Sequence, residues 1–140
     1  MAQLKFQKQL NLHQPEKGIY GDCFRTCVAI MLGLDAEEVP HFVHADNPLW
    51  LDDCRDWLAG RGLKYIQIVY TGELEDVLRC VSLGTDELPY MLTGQSRNGT
   101  NHCVVCQGAE IVCDPAIDNS GIVGPTDTGV FYVEFIVREV

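Results

Sequence analysis

Cys23 stands in the string Gly21-Asp22-Cys23-Phe24-Arg25, where turn-forming residues give way to the apolar run CFRTCVAIMLGL. A cysteine in the first turn of a helix faces free backbone N–H groups and the positive end of the helix dipole, which favours thiolate, the nucleophilic form of sulfur. Asp22 opposes this by setting a negative charge beside the sulfur, unless its carboxylate is occupied in capping the helix. A thiolate nucleophile also needs a base within hydrogen-bond reach, and the base needs a third group to fix its tautomer and orientation. His102, at the head of HCVVC, and Asp114, within IVCDP, offer that pair, with His102 as base and Asp114 as its orienter. Gln14, nine residues before Cys23, is the candidate for a side-chain amide that joins the Cys23 backbone N–H in an oxyanion hole.

The pairing carries a geometric condition. HCVVCQ and EIVCD read as the two strands of a hairpin turning at Gly108-Ala109. A strict two-residue loop sets His102 opposite Pro115 and sends Asp114 to the other face; a three-residue loop or a bulge brings the two together. Each residue also has a plainer reading. Cys23 and Cys27 can both be core, His102 can be a strand-end histidine bonded to backbone, and Asp114-Pro115 can open an ordinary turn. The competing constellation is a metal site at His102, Cys103, Cys106 and Cys113. In a β-branched run, however, residues three apart face opposite ways, which counts against a joint role for Cys103 and Cys106. We therefore assign neither a metal nor a cofactor. His13, His41 and His44 form no acid–base or ligand set on sequence grounds.

These side chains must be positioned by short elements. Residues 1–13 are polar with scattered Leu and Phe, which fits a tail or a short edge strand. Asp22 as N-cap and Gly33 as stop predict a helix over 23–32, with Cys23, Cys27, Ile30, Met31 and Leu34 on one face. In NPLWLDDCRDWLAGRG, Asn47 as cap, Pro48 at the first position and the stripe Trp50, Cys54, Trp57, Leu58 predict a second helix ending at Gly60 or Gly62. LKYIQIVY reads as a strand and TGELEDVLRC as a short helix with acidic residues in its first turn. ELPYMLTG, HCVVCQ, EIVCD and GVFYVEFIV then read as sheet. The expectation is an α+β fold, N-terminal helices packed on a C-terminal antiparallel β-sheet, in a single domain over residues 1–140.

The whole chain narrows the function classes. A length of 140 residues with 46% hydrophobic and 21% charged residues fits one globular domain. Twenty acidic against ten basic residues give a formal charge of -10, which repels phosphate backbones and anionic lipid heads. No nucleic-acid partner and no membrane is expected. The start MAQLKFQKQLNLHQ holds no apolar stretch of signal-peptide length, and seven cysteines are an odd number. Reduced thiols in the cytoplasm are the expectation, with most of the seven acting as small buried hydrophobes. The apolar run GVFYVEFIV makes an exposed sheet edge possible without favouring it, so a monomer or a weak dimer is expected.

A cysteine at a helix start, then a histidine on a strand, then Asp or Asn on the next strand resembles the papain-like cysteine peptidase superfamily. The G-D-C-F-R-T-C-V-A helix, the V-P-H-F turn and the N-H-C-V-V…D-P hairpin look most like its small bacterial and phage branches, among them bacteriocin leader-processing and cell-wall peptidases. The resemblance runs from about Gln14 to about Asp118. It implies Cys23 as nucleophile, His102 as general base, Asp114 as orienter and Gln14 as oxyanion donor. The implied activity is a cysteine hydrolase, a peptidase, amidase or transamidase, cleaving an amide or isopeptide bond in a peptide, protein tail or cell-wall-type substrate. The alternative is a catalytically silent papain-like binding module that captures a partner protein. A buried Cys23 far from His102 favours the module, and an accessible Cys23 within reach of His102 favours chemistry.

Overall fold

The computed structural model describes residues 3–44 and 46–139. Among the described residues three α-helices and one five-stranded antiparallel sheet make a mixed α+β fold. Along the chain come α1 (Cys23–Leu32), α2 (Trp50–Ala59), β1 (Leu63–Tyr70), α3 (Leu74–Thr85), β2 (Tyr90–Gln95), β3 (Asn101–Gln107), β4 (Glu110–Cys113) and β5 (Phe131–Arg138). The strands lie in the order β1-β5-β2-β3-β4. No helix among the described residues is long and apolar enough to cross a membrane.

Period-two alternation splits the sheet between two cores. Tyr65, Met91, Cys103, Val105 and Ile136 face α1 and α2, whereas Leu92, Val104, Cys106, Val133 and Phe135 face Val77 and Val81 of α3. β1 precedes α3 in the chain, as the sequence predicts, and α3 covers the face opposite α1 and α2. The open possibility of an exposed edge at GVFYVEFIV is not realised. β5 lies between β1 and β2, and the whole run Phe131–Ile136 except Tyr132 is buried.

Helix α1 is the centre of the larger core. Gly33 takes the left-handed conformation (φ 72°) and returns its N–H to the last turn, as a C-terminal glycine does. The expected single apolar face is too narrow, because Phe24 and Thr26 are buried as well. Thr26 Oγ1 solves its burial by donating to the Asp22 carbonyl at 2.8 Å. Asn47 does not cap α2. Its amide donates to the Phe42 carbonyl and the Asp53 carboxylate, which ties down the approach loop, and the helix begins two positions beyond Pro48.

Within residues 1–13, Met1 and Ala2 lie outside the described residues, and the rest is neither tail nor strand but a strap. Lys5 N–H donates to the Ile30 carbonyl and Gln9 N–H to the Pro115 carbonyl. Lys8 Nζ reaches the carbonyls of Asp114 and Ala116, both at 2.9 Å. The strap thereby joins α1 to the loop after β4, the two places from which the candidate residues come.

Candidate active site

Cys23 is the first residue of α1 and remains half-buried, while Asp22 before it is fully buried. The position leaves the Cys23 and Phe24 N–H groups without an intrahelical acceptor. Asp22 does not cap the helix through its side chain, contrary to expectation. Its carboxylate accepts from the N–H of Leu10 (3.3 Å) and Asn11 (2.8 Å) and from Arg25 Nε at 2.9 Å. The carboxylate that would oppose a thiolate is thus occupied by a guanidinium and two strap amides. Gly21 is small for a reason: a Cβ there would lie 2.9 Å from His13 Cβ, and its N–H donates to His13 Nδ1.

His102 and Asp114 come together through a bulge. The turn at Gly108-Ala109 is the strict two-residue kind, with Gln107 opposite Glu110 and Cys106 opposite Ile111. The next pair is Val105 with Cys113, so Val112 is an extra residue and the register shifts by one. Consistent with that, Val112 and Cys113 both pack against the α1 core. The shift returns Asp114 to His102, and Asp114 Oδ1 lies 2.7 Å from His102 Nε2. Asp114 is itself fixed by the N–H groups of Ala116 (2.9 Å) and Gly121 (2.7 Å).

The electrostatics follow from these contacts. Burial works against a charged His102, yet hydrogen bonds to Asp114 and to Cys23, reinforced by their charges, outweigh it and raise the ring's pKa to about 9. With Nε2 taken by Asp114, the nitrogen left to meet the Cys23 sulfur is Nδ1. Asp114 is also opposed by burial, but bonds from His102, Ala116 and Gly121 hold its carboxyl below the usual value. Cys27 differs sharply: burial pushes its thiol well up, and its Sγ donates to the Cys103 carbonyl at 3.3 Å. Burial likewise pushes Cys54 and Cys106 up to about 12. All seven cysteines are unpaired thiols.

Two cavities meet at Cys23 and His102. The larger, about 690 Å³, is walled by the strap, with Gln9, His13 and Gln14 among its lining residues. The smaller, about 330 Å³, has Trp50, Tyr132 and Glu134 among its lining residues. Gln14 is therefore in the same cleft as Cys23. Comparisons of the chain with protein-family models, with curated proteins and with solved structures return no match.

The remaining sequence candidates fall out by position. Cys103 packs towards α1 and Cys106 towards α3, so the two thiols do not converge. No group of three or more His, Cys, Asp or Glu among the described residues is placed to hold a metal. His41 bonds the Tyr20 carbonyl at 3.0 Å. Three cleft residues carried no signal in the sequence. Gln9 is buried and lines the cleft, and its Oε1 has no hydrogen-bond partner among the described residues. His13 lines it from the strap, and Glu134 lies in an apolar strand. Only the polar exceptions themselves, Gln9 within a leucine-containing strap and Glu134 within VEFIV, could have drawn attention.

Proposed function

We propose that this protein is a cysteine hydrolase of papain-like type that cleaves an amide or isopeptide bond. The observation that carries the reading is a half-buried helix-start Cys23 that lines the same two cavities as His102, a histidine whose Nε2 is held by a carboxylate. Cys23 Sγ attacks the substrate carbonyl as the carbonyl oxygen gathers charge, which the free N–H groups at the start of α1 and the Gln14 amide stabilise. His102 passes the thiol's proton to the leaving nitrogen, so the C–N bond breaks as the C–S bond stays. Water then attacks the thioester with His102 as base, releasing a carboxylic acid and restoring the thiol. An amine in place of water makes the same site a transamidase.

The substrate is a peptide, a protein tail or a cell-wall-type amide, since the cleft is open and the acidic chain disfavours nucleic acid. Seven unpaired cysteines suit a reducing compartment, and we place the protein in the cytoplasm. The rival binding module is disfavoured because Cys23 is not fully buried and shares both cavities with His102. Reaction with p-nitrophenyl acetate tests the proposal. A burst of one nitrophenolate per chain, with the acetyl group on Cys23 by peptide mass spectrometry and no burst in Cys23→Ser, is the expected result. A native protein that is never acylated at Cys23 contradicts it.

A further inference from the structure

Glu134 is a carboxylate where strand chemistry least accommodates one. It is 2% exposed, in the middle of β5 and opposite Gln67 and Met91, on the face that packs against α1. Its two oxygens accept hydrogen bonds from the hydroxyls of Tyr65 and Thr93, and Gln67 in turn donates to Tyr65 at 3.3 Å. Hydroxyls satisfy lone pairs but do not neutralise a charge. Among the described residues no Lys, Arg or His forms an ion pair with Glu134. Arg55, on the neighbouring α2, lies over the Tyr65 ring at 5.5 Å instead. A buried carboxylate without a cation costs stability, and proteins that keep one usually supply a partner or use it.

The place of this charge is informative. Glu134 lines the 330 Å³ pocket that Cys23 and His102 also line. Phe24, Trp50 and Tyr132 supply aromatic walls, and Thr93 and Gln67 supply polar groups beside the carboxylate. A pocket with aromatic walls and an acid in its lining matches a side chain with an aliphatic stem and a cationic tip. Burial pushes the Glu134 carboxyl up to about 6, against the pull of its bonds from Thr93 and Tyr65, so the group is mostly ionised at neutral pH and gains most from an arriving cation.

We propose that this pocket is the specificity site of the enzyme and takes a lysine or arginine side chain of the substrate, with Glu134 as its counter-charge. The word substrate rests on the hydrolase reading of Cys23; the pocket's preference for a cation does not. Binding is therefore measured without reference to Cys23 chemistry. N-acetyl-lysine methylamide, its arginine analogue and the uncharged norleucine analogue are titrated into ¹⁵N-labelled protein. The Trp50 indole N–H is followed, with Trp57, which does not line the pocket, as internal control.

The expected result is a saturable shift of Trp50 alone, with the two cationic compounds bound about tenfold more tightly than norleucine. Glu134→Gln should reduce that preference to about twofold or less. Equal binding of norleucine and lysine derivatives by the native protein overturns the proposal, and this comparison needs no variant to fold. A tenfold preference that survives in Glu134→Gln overturns the assignment to Glu134. If Cys23 proves unreactive while Trp50 still reports cation-selective binding, the hydrolase reading fails and the pocket stands.

Discussion

Cys23 and Cys27 stand one helical turn apart on the same helix, yet their surroundings have little in common. Cys27, in the apolar middle of α1, is completely buried and spends its thiol proton on the Cys103 carbonyl. Cys23, at the first position, lines two cavities together with His102, with free helix N–H groups beside it. The same side chain is a packing atom in one place and a candidate nucleophile in the other. What separates them is the end of the helix: there the backbone leaves donors unpaired, a turn opens space, and strand ends deliver polar side chains.

The sharpest way to break the comparison is at Asp114, which acts only on the Cys23 side. Asp114→Ala frees the His102 ring, and acylation of Cys23 by p-nitrophenyl acetate should slow about 10²-fold, roughly 2.7 kcal/mol in barrier. Circular dichroism on the same sample verifies folding.

A smaller effect separates the regions by pH. His102 has its pKa raised from 6.5 to about 9 in the folded protein, so its stabilising contribution is complete below about 6.5 and is lost as pH rises through about 9. Urea unfolding of the native protein and His102→Ala should differ by about 2 kcal/mol more at pH 6 than at pH 10. Cys27 contributes no such step in this window, because burial holds its thiol well above the ordinary value.

The smallest expected effect lies in the core. Cys27→Ala leaves a small cavity and should cost about 1–2 kcal/mol in urea unfolding. Acylation at Cys23 should stay within about twofold of the native rate. A large loss of acylation in this variant would mean that the two turns of α1 are not distinct.

Much of this division is legible in the residues. The turn pair Gly21-Asp22 followed by an apolar run marks Cys23 as a helix start, Gly33 marks the end, and LKYIQIVY gives β1 in full. His102 and Asp114 are visible as flanks of one hairpin. What joins them is less visible, because the bulge at Val112 carries no glycine or turn residue and arises from register alone. The strap over residues 3–13 is equally silent, since its bonds run from backbone and long polar side chains to carbonyls far along the chain. Asp22 was legible as a polar residue at the helix start but not as the clamp for Leu10, Asn11 and Arg25. Nor does alternation reveal that α3 covers the face opposite α1, because each helix has only one apolar stripe and the sheet has two faces.

The central claim, that Cys23 and His102 form a reactive pair, is tested most directly by the rate of iodoacetamide labelling at each cysteine against pH, resolved by mass spectrometry. Exposed Cys80 provides a reference thiol in the same chain. The account predicts that Cys23 alone labels fast near pH 6 and that His102→Ala slows it about tenfold or more. Labelling of Cys23 no faster than Cys80 across the pH range would contradict it.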